Sequence, residues 1–368
     1  MNQGKRVAAI DILRALTMVW MLFVNDIPGL EGVPHWLFHA RSDEDMLGFS
    51  DLVFPAFLFC VGMSVPFAIE SRLKRGATMG STIVHILERT LALVVMGLFI
   101  MNCDDGAGGI DWNWFSLMIA TGFFLIWTDY PPERRAYTRW LQLAGILLLA
   151  GILIYCGVVG KPFQIGWWGI LGLIGWTYAV CAITYLLIRG RFRHSVIVWI
   201  VWIILLPFIP GGWVHHALGF SGVMASLLLR RLVAKGAYWR LTGLYVALAI
   251  GSLLAGFVAH EFWIVSKIQA TPTWLFFSLA VDFALLALVF WLSDICGKKQ
   301  WFALIAPAGS ATLTCYLVPY FWYPILGLTN LSIPGWQGWT GILISIVYAL
   351  LIVQITRLLV KIGLKVKL

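Results

Sequence analysis

Near the start of the chain, polar residues stand inside and between two apolar runs, and their types suit proton transfer. Asp11 and Arg14 lie in the first run, Asn25-Asp26 closes it, and Asp51 opens the second. His39 sits in the connection between them, close to His35, Trp36 and Phe38. A histidine that titrates at about pH 6.5 is the usual general base at neutral pH. A carboxylate beside it can orient the ring, a role open to Asp51 or Asp26, and an amide such as Asn25 can donate to an oxyanion. A lone histidine in an aromatic connection is more often structural; the flanking carboxylate and amide make catalysis an equal reading. Asp11 and Arg14 share one helix face. They read as a structural ion pair, or as a phosphate or headgroup contact made by Arg14 and held by Asp11.

Other polar residues carry weaker signals. His85, Glu88 and Arg89 open the third apolar run, where long side chains snorkel to the interface. Asp282 stands mid-run without a local partner and must pair, protonate or face water. His215 and His216 sit at an outer span end, where one could pair with Asp104 or Asp105. No spacing argues for a metal, and the six cysteines read as small hydrophobes. There is no Gly-rich phosphate loop, no GxSxG and no HExxH. Many tryptophans, among them Trp112, Trp114, Trp167, Trp168, Trp336 and Trp339, mark membrane interfaces.

The elements that must hold these residues are membrane helices. Of 368 residues, 61% are hydrophobic and 12% charged, against about 25% charged in soluble domains. The expected fold is all-α: a polytopic integral membrane protein of about 12 transmembrane helices (roughly 10 to 12). The runs are 7–25, 51–69, 83–101, 112–128, 140–158, 168–188, 195–209, 214–229, 241–259, 272–293, 302–327 and 339–358. Pro207, Pro210, Gly211 and Gly212 break the chain between the seventh and eighth, and Pro307, Pro319 and Pro324 interrupt the eleventh. The first run lacks a following cleavage site and reads as a retained span, not a signal peptide.

Basic clusters fall on alternate connections: Lys5/Arg6, Arg72/Lys74/Arg75, Arg134/Arg135/Arg139, Arg189/Arg191/Arg193, Arg230/Arg231/Lys235/Arg240, Lys298/Lys299 and Arg357/Lys361/Lys365/Lys367. The intervening connections are acidic or nearly neutral, including Asp43/Glu44/Asp45 and Glu261/Lys267. This pattern places both termini in the cytoplasm and explains the net charge of +9 without nucleic acid. The chain reads as one transmembrane domain, 1–368. Its half 1–128 holds the catalytic connection 26–50, 129–213 reads as possible inserted helices, and 214–368 as C-terminal helices. No internal repeat stands out, which weighs against a transporter of inverted halves.

Residues Ile10-Asp11-Ile12-Leu13-Arg14-Ala15, Met21-Leu22-Phe23-Val24-Asn25, Phe38-His39-Ala40 and Asp51-Leu52-Val53-Phe54-Pro55-Ala56-Phe57-Leu58-Phe59-Cys60-Val61-Gly62 carry a resemblance. In that order they resemble the heparan-α-glucosaminide N-acetyltransferase family and its bacterial relatives in the transmembrane acyltransferase group. Thr271-Pro272-Thr273-Trp274, Asp294, Trp301, Gly309-Ser310 and Gly222-Val223-Met224 match more loosely. The resemblance implies acetyl transfer from cytosolic acetyl-CoA to a sugar acceptor on the other side, with no metal. It makes His39 the catalytic residue, with Asn25 and Asp51 beside it. Arg14, Asp11, Arg89 and Ser310 are the expected donor contacts. Departures are the absence of the family's N-terminal luminal region and span, two extra helices in spans five to seven, Ala15 in place of glycine, and the acidic 43–45 stretch, which bears on the acceptor's identity.

On this reading His39 removes the attacking group's proton, as base or as acetyl carrier. The acceptor is the amine or hydroxyl of an amino sugar or oligosaccharide, glycosaminoglycan-like in the family. Partners are acetyl-CoA, that sugar and membrane lipid, with a homodimer compatible; the location is a bacterial inner membrane. The competing reading is a sugar or muropeptide transporter without acyl transfer.

Overall fold

The computed structural model describes residues 7–131, 133, 135–161, 163–166, 168–209, 212–331 and 335–368. Lys5, Arg6, Arg134, Trp167, Pro210 and Gly211 lie outside the described residues. The chain runs through α1 (Ala8–Asp26), α2 (Phe49–Lys74), α3 (Met79–Asp104), α4 (Trp112–Trp127), α5 (Arg135–Val158), α6 (Gly169–Leu187) and α7 (Phe192–Leu205). It continues through α8 (Val214–Val233), α9 (Tyr238–His260), α10 (Pro272–Phe290), α11 (Ala306–Ser310), α12 (Thr312–Leu317), α13 (Pro319–Leu328) and α14 (Gly338–Lys361). The protein is all-helical among the described residues, apart from an isolated bridge between Thr128 and Val366.

Each expected run is helical, and among the described residues eight helices are long and apolar enough to cross a membrane: α1, α2, α3, α5, α6, α9, α10 and α14. Helices α4 and α7 are apolar but shorter. The eleventh run is three short helices, because Pro307 and Pro319 start new helices in place of continuing old ones. A run of apolar residues thus marks a helix without fixing whether it spans.

Helices α1, α2, α6, α8 and α10 form the interior, while α5 and α9 lean outward and expose residues such as Ile154, Val158, Leu254 and Val258. Lipid covers such faces as readily as protein does, so packing inside must come from close fit and hydrogen bonds. The α2–α8 contact shows the fit. A Cβ on Gly62 would lie 1.7 Å from the Gly219 carbonyl oxygen, and one on Gly222 2.0 Å from the Phe59 carbonyl oxygen. Ser226 adds a hydrogen bond from its hydroxyl to the Met63 carbonyl at 2.6 Å.

Helix α1 has no local cap, since Val7 precedes it. Asp294, just beyond α10, accepts from the Ala8 and Ala9 amides at 3.1 and 2.9 Å. A carboxylate at a helix start satisfies orphan N–H groups and favours the dipole. This contact fixes the start of α1 and, through its rigid body, where Arg14 and Asn25 emerge.

Replacing Gly222 with Val forces the α2 and α8 backbones apart. The expected loss is about 1–3 kcal/mol, as for overpacked interiors, measured as a lower thermal midpoint in detergent. A wild-type midpoint would remove the close-fit account.

Candidate active site

Asp51 occupies the third position of α2 and is 2% exposed. One carboxylate oxygen accepts from the backbone amides of Ala40 at 3.0 Å and Gly48 at 3.3 Å. The other lies 2.7 Å from His39 Nδ1. A Cβ on residue 48 would stand 2.0 Å from the Phe38 carbonyl oxygen, so glycine lets the connection fold back on itself. Ser50 donates to the Leu37 carbonyl at 2.6 Å, and the Trp274 indole N–H to the Asp51 carbonyl at 3.2 Å.

An ionised carboxylate has no proton to give, so His39 donates from Nδ1 and carries its lone pair on Nε2. The His39 side chain is 46% exposed, and Nε2 has no protein partner among the described residues. This is the arrangement of an oriented general base. Of the two carboxylates the spacing left open, Asp51 holds the histidine. Asp26 accepts from the Tyr323 hydroxyl instead.

A third group joins the pair. Lys267 Nζ lies 3.1 Å from His39 Nδ1 and 3.6 Å from Asp51 Oδ1. Sequence spacing did not single it out, and a separation of 228 residues from His39 leaves no local signal. Burial pushes its pKa down, and the Asp51 charge pushes it back.

His39 and Asn25 line one cavity of 290 Å³, walled by Asp104, Trp112, Tyr316 and Tyr320. Asn25 is exposed and makes no side-chain hydrogen bond among the described residues. Asp104 accepts from the Trp112 indole N–H at 3.2 Å. His215 and His216 do not pair with Asp104 or Asp105 among the described residues. Their rings pack edge-on against Phe54 and Trp274, and against Trp213, respectively.

The acidic stretch 43–45 makes its contacts within the connection and with the 260–265 segment. None of its residues lines this cavity. Asp45 accepts from the Val265 amide at 2.8 Å and approaches His260 Nε2 at 2.9 Å. The Val265 N–H and then His260 hold its carboxyl below the usual range. Glu44 lies 3.4 Å from His35 and accepts from the Arg41 amide at 3.1 Å, while Asp43 pairs with Arg41 at 3.5 Å. Asp45 fastens the connection to Val265 and to His260 at the end of α9, while Asp43 and Glu44 pair within the connection.

At the other end of α1, Arg14 donates to Ser64 Oγ at 2.8 Å and to the Gly309 carbonyl at 3.1 Å, with Asp11 3.4 Å away. Arg14 and Asp11 line a cavity of 1480 Å³ with Arg230 and Arg231. Asp11 and Ser310 line a second, of 650 Å³, with Lys299, Arg357 and Lys361. Arg89 lies outside both linings, its guanidinium 4.8 Å over the Tyr178 ring. His85 and Glu88 form a 3.9 Å pair. Asp282 is 2% exposed in α10, and its Oδ2 makes no hydrogen bond among the described residues. No group of three or more metal-ligating side chains occurs among the described residues.

A sequence family described as a domain of unknown function, DUF5009, matches residues 6–217, more than half of the chain. The chain belongs to the DUF5009 family. The matched region holds Arg14, Asn25, His39 and Asp51, and ends before Lys267 and the cavity tyrosines. The chain is also similar to heparan-α-glucosaminide N-acetyltransferase of Mus musculus, 31% identical over 112 residues, and of Homo sapiens, 31% identical over 108 residues. These stretches are 30% and 29% of this DUF5009 chain and 16% of each relative. The resemblance read from the sequence motifs is borne out by both.

Asp51→Ala would release the His39 connection and leave Lys267 without its counter-ion. Trypsin cleavage after the exposed Arg41 should accelerate at least about tenfold. Stability should fall by about 2 kcal/mol, less than for a fully buried pair because Lys267 is partly exposed. Unchanged cleavage and melting would show that Asp51 does not hold this connection.

Proposed function

We propose that the chain transfers acetyl from acetyl-CoA, entering at the Arg14 end, to the amine or hydroxyl of an amino sugar or oligosaccharide at the His39 end. The observation that carries this reading is His39, tied through Nδ1 to Asp51 and free at Nε2, in one cavity with the Asn25 amide. Nε2 takes the acceptor's proton as its nitrogen or oxygen bonds to the acetyl carbon. The Asn25 amide donates to the oxyanion, and collapse breaks the carbon–sulfur bond. The thiolate leaves with the proton that His39 returns. A relay through acetyl-His39 needs the same unprotonated Nε2.

The 11 residues from Arg14 to Asn25 span about 16 Å of helix axis. The donor's pantetheine arm bridges that interval. Its phosphates suit the cavity lined by Arg14 and Arg231, in which Arg230 is held by Glu70, or the one lined by Lys299, Arg357 and Lys361. The alternation of basic clusters supports a cytoplasmic side for this end and both termini, in an inner membrane crossed about 12 times. The acceptor cavity has aromatic walls for a sugar ring and, among the described residues, no lysine or arginine in its lining, with Lys267 behind His39. It suits a neutral or cationic sugar better than a sulfated one. The half 1–128 carries the transfer chemistry, and the C-terminal helices complete the cavity.

Purified wild-type protein should release CoA when given acetyl-CoA and an amino sugar. His39→Ala should lower that release by about 10²–10⁴-fold while acetyl-CoA binding stays measurable. Wild-type turnover in the variant removes His39 from the mechanism. Movement of labelled sugar without CoA release replaces the reading with transport.

A further inference from the structure

The 261–271 turn is built to deliver one side chain. The Ser266 amide donates to Thr271 Oγ1 at 3.1 Å, and the Thr271 amide to the Ser266 carbonyl at 3.1 Å. Thr271 also caps α10, accepting from the Trp274 amide at 3.3 Å. Across the gap, Ser266 and Gln269 donate to the Ser42 carbonyl at 3.3 and 2.6 Å, and Asp45 takes the Val265 amide. The two connections are thereby fastened on both sides of Lys267, whose side chain is 24% exposed.

His39 Nδ1 keeps its proton toward Asp51 both in the neutral ring and in the imidazolium, and Nε2 is the nitrogen that titrates. Lys267, beside the same pair, acts on the ring through its charge and not as a donor to Nδ1. Asp51 stabilises a protonated ring, and a cation 3.1 Å from the same atom opposes it. We propose that Lys267 is a positioning residue for His39, its ammonium offsetting the Asp51 carboxylate so that the ring stays unprotonated and able to act as a base. The other groups facing the ring across the cavity are Asp104 from α3, Tyr316 from α12, Tyr320 and Tyr323 from α13 and Tyr348 from α14. His215 at the start of α8 lies within the field of Lys267. Lys267 is the cation in direct contact with His39.

The consequence for turnover rests on the acetyl-transfer reading, so the deciding experiment does not use turnover. Diethyl pyrocarbonate acylates unprotonated imidazole, and peptide mass spectrometry reports the extent at His39 across about pH 5 to 9. In the full-length protein in detergent, K267M should move the midpoint of His39 modification upward by about one pH unit, with K267R close to wild type. K267Q replaces K267M if the latter fails to fold, judged by loss of protection of the buried His215 from the reagent. An unmoved midpoint in a folded K267M or K267Q chain overturns the proposal. Where CoA release is observed, the acid limb of kcat/KM should move with that midpoint. A wild-type protein that releases no CoA removes the acetyl-transfer reading, while the modification midpoint still decides the role of Lys267.

Discussion

The buried carboxylate of Asp51 is the constraint on which the His39 end depends. Taken out of water, it must find compensation from donors and counter-charge. It finds the His39 ring, the Ala40 and Gly48 amides and the Lys267 ammonium. Its place in the first turn of α2 adds the favourable end of that helix dipole. One residue thus gathers the start of a helix and two connections more than 200 residues apart. Were the carboxylate elsewhere, His39 would have no fixed tautomer and the connection no reason to fold back.

Helix α1 carries the second constraint, which is length. It is a rigid rod with Arg14 near one end and Asn25 at the other, and its first turn is pinned by Asp294. Around it the interior is closed by backbone contacts at glycines and by serine and threonine hydroxyls bonded to carbonyls. Asp282 and Cys60 lie between those ends, buried in α10 and α2.

The acidic stretch 43–45 has a structural part that composition does not show. Three acidic residues near His39 suggest recognition of a substrate. In the structure their partners are Val265, His260, His35 and Arg41, so they also hold the chain. Tyrosines of α12, α13 and α14 wall the cavity, and the hydropathy runs that mark these helices hold no record of where those side chains meet.

The sequence alone determined the helical membrane character, because the cost of polar groups in lipid shapes composition along every run. It also exposed Asp11, Arg14, Asn25, His39 and Asp51, which are out of character for their setting and lie within one hairpin. Only the tertiary structure decided that Asp51 and not Asp26 holds His39, that Lys267 completes the group, and that Arg89 packs on Tyr178 away from the basic cavities. Apolar periodicity records which face of a helix is buried. It holds no record of which distant side chain meets a polar group there, since that depends on how the helices and connections pack, and Asp51 is satisfied by residues from both.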